Sequence, residues 1–269
     1  MKKLKRLIPV LLLKNGMLVQ SRQFDRHQIL GNPITAVKRL SNWASDELVY
    51  LDISRDDKYD LRRDDQGYEN INNFLGIIEY ISKETFMPIT VGGKIKNLYD
   101  IEKRLAICAD KVSINSKAFE NKKFINNAAK EFGSQCIVAS IDAKKVNGKY
   151  YAFKNFGKKN SNVLVKDWIE ILQDEGAGEI LLNSIDNDGL GIGYDLELIN
   201  QITDNIKIPV IICGGVGEYS HFVNAIINDK IAAVAAANIF HYRDQSVYYA
   251  KKYLYDKKLS IRKPEILNI

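Results

Sequence analysis

Pro88-Ile-Thr-Val-Gly-Gly93 returns as Pro209-Val-Ile-Ile-Cys-Gly-Gly215, a β-branched run and a glycine pair behind a proline that repeats 121 positions on. Phe119 and Phe240 keep the same separation. Self-similarity at a fixed distance marks a chain built from like halves. The repeated unit is a short buried strand closed by a tight turn. Earlier landmarks stand further apart, Glu47 and Glu179 by 132 positions, so the first half carries an insertion before Pro88. The charged stretch Arg55-Asp-Asp-Lys-Tyr-Asp-Leu-Arg-Arg-Asp-Asp65 fits it, in the loop after the second strand.

Outward from this pair, short apolar runs alternate with longer amphipathic segments. The runs are LIPVLLL (7–13), LVYLDI (48–53), PITVGG (88–93), KVSIN (111–115), CIVASID (136–142), EILLNSI (179–185), PVIICGG (209–215) and AAVAAA (232–237). Strand-then-helix order with uninterrupted apolar strands predicts a parallel sheet, and eight such units predict a closed (β/α)8 TIM barrel, one domain over residues 1–269. A helix is expected after each strand. An open doubly wound sheet is the competing arrangement. The basic start MKKLKR before Leu7 to Leu13 imitates an export signal, but the apolar run is short and meets Lys14 without a small-residue cleavage site. A buried strand ending at the turn pair Asn15-Gly16 fits better.

At 46% hydrophobic and 27% charged residues the chain can bury a full core, and its apolar runs are too short to span a bilayer. Cys108, Cys136 and Cys213 are odd in number and lack paired spacing, which suggests reduced thiols in a cytoplasm. His27, His221 and His241 are scattered without ligand spacing, so no metal or cofactor is expected. A net charge of +6 suits a phosphorylated or otherwise anionic substrate, and no basic stripe interleaved with aromatics points to nucleic acid.

In a barrel the residues at the carboxyl ends of the strands build the site. Gly92-Gly93 with Asn115-Ser116 form one candidate anion cradle, and Gly214-Gly215-Val216-Gly217 with Asn238 another, since glycines let backbone N–H groups approach oxygens closely. Tight turns need glycine anyway, but two related pairs favour an elongated substrate with a phosphate at each end. Asp142, ending the fifth strand, is the candidate general acid/base, a pairing with Lys144 or Lys158 being the plain alternative. Leu12 holds the equivalent place on the first strand. Asp186 and Asp188 could contact substrate hydroxyls or could serve only turn chemistry. At the opposite strand ends stand Arg6, Glu47, Lys111 and Glu179, two cations and two anions that by themselves read as a solvated rim.

The stretches DELVYLDI, ADKVSINS, GSQCIVASIDAKKVNGKYYAF, FGKKNSN, GAGEILLNSIDNDG, GYD and IFHYRD resemble the cyclase subunit of imidazole glycerol phosphate synthase, over essentially the whole chain. The resemblance implies a barrel that binds a two-phosphate substrate at its top and a glutaminase at its strand-start face, with ammonia passing up between them. It implies that Arg6, Glu47, Lys111 and Glu179 form the ammonia gate, and that Asp142 is one of two catalytic aspartates. The other belongs at Leu12. Gln20 stands where the family has a lysine, and Lys94 where it has the third glycine after the third strand. These departures cluster at the top, while the gate is intact. They imply a paralogue with doubtful ring-closing activity that passes ammonia to a separate ATP-dependent amidotransferase docked on the top face at 55–65. Such paralogues serve acetamidino modification of bacterial surface nonulosonic acid sugars. An authentic cyclase of histidine biosynthesis and a non-catalytic scaffold are the alternatives.

Overall fold

A computed structural model describes residues 3–59, 71–83, 85–202, 206–242 and 244–265. Residues 60–65 of the charged insertion lie outside the described residues. The chain opens with β1 (Arg6–Lys14), turns back through β2 (Met17–Arg22) and β3 (Arg26–Gly31), and enters α1 (Pro33–Asn42). It continues through β4 (Leu48–Asp52), α2 (Phe74–Ser82), β5 (Ile89–Gly92), α3 (Leu98–Ile107), β6 (Lys111–Ile114), α4 (Ser116–Glu120) and α5 (Lys123–Phe132). The second half repeats that order: β7 (Ile137–Val146), a hairpin β8 (Lys149–Lys154) and β9 (Lys159–Leu164), then α6 (Val165–Asp174) and β10 (Glu179–Ser184). After these come α7 (Leu196–Ile202), β11 (Val210–Cys213), α8 (Tyr219–Ile226), β12 (Ile231–Ala236) and α9 (Ser246–Asp256).

Strands β1, β4, β5, β6, β7, β10, β11 and β12 pair in parallel, and β12 returns to β1, so the sheet closes. The expected eight-stranded barrel is therefore the fold. Strand alternation divides its apolar residues between two cores. In β1, Leu7, Leu11 and Leu13 pack outward against the helices, while Ile8 and Val10 face the interior with Val49, Val138, Leu181, Ile211, Ala233 and Ala235. Local chemistry sets the helix starts: Asn32 caps α1 ahead of Pro33, and Asn97 with Asp100 closes a capping box on α3. Among the described residues no helix is long and apolar enough to cross a membrane. Cys108, Cys136 and Cys213 are free.

One expectation needs correction. β1 and β7 are not followed directly by helices; each first folds back as an antiparallel hairpin. Asn15-Gly16 and Asn147-Gly148 make the turns, all four residues at positive φ, the conformation that Asn-Gly adopts most readily in a two-residue hairpin. The second Asn-Gly pair lies 132 positions after the first, so the hairpins obey the half-barrel repeat.

Candidate functional site in the barrel interior

The four charged residues at the strand starts close into a ring. Arg6 Nη1 donates to Glu47 Oε1 at 2.6 Å and Arg6 Nη2 to Glu179 Oε1; Lys111 Nζ donates to Glu47 Oε2 at 3.1 Å and to Glu179 Oε2 at 2.9 Å. Cation and anion alternate, and each carboxylate binds both cations. Burial opposes the charge on Arg6, but Glu179 and Glu47 outweigh it and hold the guanidinium firmly protonated. Glu47 and Glu179 are 8% and 5% exposed while Arg6 and Lys111 are half-buried, so the two carboxylates in particular need their cationic neighbours. The solvated-rim reading of these residues does not survive this geometry.

Above the ring the interior is largely apolar, and small on one side where β12 supplies Ala233 and Ala235, with the buried Thr90, Ser113 and Ser140 in register with Val49, Val138 and Leu181. From Arg6 to Leu12 is six residues of strand, roughly 20 Å at the usual rise. The mouth at the far end is polar on one half and apolar on the other. Asp142 stands opposite Asn183 across β7 and β10; Leu12 stands opposite Leu51 across β1 and β4. Leu51 and Asn183 are 132 positions apart, the same offset as Glu47 and Glu179. The first half thus carries a leucine pair where the second has an acid–amide pair, and the leucines pack onto the interior apolar cluster.

Asp142 accepts from Asn183 Nδ2 at 3.1 Å and from Asn115 Nδ2 at 2.7 Å, and pairs with neither Lys144 nor Lys158. Lys144 lies over the Phe153 ring and Lys158 binds Asp25. Burial pushes the Asp142 carboxyl up to about 7, the two amides opposing and the Asp188 charge assisting. A carboxyl in that range exchanges a proton readily at neutral pH. Asn115 Oδ1 is buried without a donor, so an amide flip would offer an acceptor to protonated Asp142. Sequence reasoning places Asn115 in an anion cradle and overlooks Asn183; the side chain of Asn115 instead turns to Asp142. The 132-residue offset pairing Leu51 with Asn183 is the signal that could have found it.

The two aspartates after β10 each hold one hairpin, Asp188 that of the first half and Asp186 that of the second. Asp188 Oδ2 accepts from Ser21 Oγ at 2.7 Å and from the Phe24 amide at 3.2 Å, and Asp186 Oδ2 accepts from the Lys145 amide at 2.8 Å. The hairpins also meet each other, through Lys158 to Asp25 at 2.6 Å and through Phe24 beside Gly157. Between the first hairpin and the strand ends lies a cavity of about 530 Å³ whose lining includes Arg22, Gly191, Gly217, Asn238 and Tyr242. Gln20 lines it too, accepting a hydrogen bond from Tyr242 Oη. Arg22 carries no sequence motif that would single it out, and Tyr242, within IFHYRD, is given no role by the sequence. Among the described residues Arg22 makes no ion pair.

The two glycine pairs have a packing reason of their own. Gly93 and Gly215 both sit near φ +100°, and a Cβ on either would come within 2.1 Å of a backbone oxygen, that of Asp52 and of Gly193 respectively. Gly92 fits against Leu51 and Ser113, and Gly214 against the Ser184 backbone. Ser116 Oγ accepts from the Asn155 amide at 3.0 Å. Among the described residues no group of three or more His, Cys, Asp and Glu side chains is placed to hold a metal ion.

Residues 6–246 match the family model of the histidine biosynthesis proteins. The chain is 39% identical over 258 residues to the imidazole glycerol phosphate synthase subunit HisF of Natranaerobius thermophilus, covering 96% of this chain and 98% of that one. Closed barrel, doubled halves and full-length identity agree: the chain belongs to the histidine biosynthesis protein family, as a relative of its HisF cyclase subunits.

Proposed function

We propose that this barrel takes ammonia from a glutaminase subunit on its strand-start face, conducts it through the interior, and passes it on at the mouth without closing an imidazole ring. The observation that carries the reading is the leucine pair Leu12 and Leu51 in the register of Asp142 and Asn183. Ring closure by a pair of acid/base groups needs a second proton carrier, and leucine supplies none. Losing such a group removes about 10² to 10⁴ in rate. The conducting parts support delivery. The ring opens by exchanging partners, and the largely apolar interior above it disfavours ammonium while admitting the neutral molecule. Asp142 then takes or returns a proton where ammonia leaves the interior.

The acceptor in this reading is the substrate of an ATP-dependent amidotransferase docked on the top face near residues 55–65, acting on a surface sugar that gains an acetamidino group. A second reading, an authentic cyclase with a displaced acid, is favoured by the 39% identity to a cyclase subunit across nearly both full lengths. Assaying the chain with saturating ammonium and the two-phosphate ring-closing substrate decides between them, because free ammonium removes any dependence on the glutaminase. Negligible turnover is expected. Rates of about 1 s⁻¹ or more, ordinary for a biosynthetic enzyme, would establish the cyclase reading.

A further inference from the structure

The turn after β5 differs from its counterpart after β11 in what occupies it. Lys94 sits at φ +56°, a left-handed conformation that costs a lysine roughly 1 kcal/mol or more. Its ammonium lies 3.4 Å from Asp52 Oδ2 and 3.5 Å from Asp57 Oδ1, and donates to the Asp56 carbonyl. Tyr59, 5% exposed, donates from its hydroxyl to the same Asp52 oxygen at 3.2 Å, and the Ser54 amide donates to the other at 2.8 Å. Arg104 donates to the Gly93 carbonyl from beneath at 2.8 Å. The turn is therefore covered by residues 52–59, held down by the cation that a phosphate would need. A phosphate there would also face the carboxylates of Asp52 and Asp57. The cavity at the opposite turn has the reverse character: Arg22, which makes no ion pair among the described residues, stands on its wall. The single acid of its lining, Glu218, is engaged by Ser220 and lies 3.5 Å from His221 Nε2.

We propose that Lys94 and the segment 52–59 close the β5–β6 cradle, so that the mouth takes a ligand with one phosphate, seated between Arg22, Gly217 and Asn238. This rests on the reading of the mouth as an anionic-ligand site and narrows its substrate class from a bisphosphate to a monophosphate.

The test is calorimetric titration of the full chain with inorganic phosphate, then with a hexose 6-phosphate and a hexose 1,6-bisphosphate. One phosphate per chain is expected, and the bisphosphate should bind within about threefold of the monophosphate, since a second charge-assisted contact would add about tenfold or more. Arg22→Ala should weaken phosphate at least about tenfold, whereas Lys94→Ala should leave it within about twofold. Asp57→Asn, at an exposed position, repeats the second comparison should Lys94→Ala fold poorly. Two phosphates per chain, none at all, or binding lost with Lys94→Ala and kept with Arg22→Ala would each overturn the proposal. Failure of ammonia delivery is read separately, with the glutaminase present, so two bound phosphates alongside intact delivery would sink this inference alone.

Discussion

Replacing Asp142 by asparagine should make the fold less sensitive to pH. In the native chain burial holds this carboxyl near 7, against an ordinary value of 3.8 in the unfolded chain. Between those values the native protein keeps a proton that the unfolded chain has released. By linkage, this contribution is fully present below pH 3.8 and is lost as pH rises through about 7. From about pH 5 to about pH 8 the loss comes to about 2 to 3 kcal/mol at about 1.36 kcal/mol per pH unit. The asparagine amide has the shape of the neutral acid, and a flip of Asn115, whose Oδ1 has no donor, would complete its hydrogen bonds. Urea denaturation of wild type and Asp142→Asn at a series of pH values from about 5 to about 8 measures the effect directly. Wild type should lose that stability across the series relative to the variant, whose slope should lack this component. Identical pH dependence in the two proteins would show that Asp142 is ionised when folded, and the neutral acid at the mouth would go with it.

Lys111→Ala leaves Glu47 and Glu179 to share Arg6, so glutamine hydrolysis should outrun ammonia delivery in the complex; matched rates would return the ring to a purely structural role. Leu12→Asp alone should destabilise the barrel by about 1 kcal/mol or more, because it sets a carboxyl at a half-buried position opposite Leu51 with no amide to receive it. Adding Leu51→Asn should recover part of that loss in a double-mutant cycle, whereas strict additivity would refute the half-barrel register as its cause. Lys251, fully buried, binds Asp46 at 2.7 Å and the Ala44 carbonyl at 2.9 Å, so Lys251→Ala should cost about 3 kcal/mol or more in denaturant unfolding. A change below about 1 kcal/mol would mean that Arg262 compensates for the lost ammonium.

The amino-acid sequence by itself determined the barrel. Eight apolar runs, a proline-to-glycine-pair repeat and the 132-residue offset of Glu47 and Glu179 are one-dimensional patterns, and strand burial writes them directly into residue type. Asp142 and its equivalence to Leu12 are legible for the same reason, since a strand end has a fixed place in the repeat; that an aspartate belongs at Leu12 is what the family resemblance implies. The hairpin after β7 is signalled too, by Asn147-Gly148, but the expectation of a helix after every strand conceals it. Only the tertiary structure decided which side chains meet. Arg6, Glu47, Lys111 and Glu179 are separated by up to 173 positions, and only closure of the sheet turns four charges that read as a rim into one ring. Asn115 could be assigned to a phosphate or to Asp142 until the side-chain direction at the end of β6 chose the acid. Lys94 looks in the sequence like a mere missing glycine; its ammonium reaches back over 42 positions to Asp52, and that contact arises from the lateral pairing of β4 with β5, which no local pattern encodes.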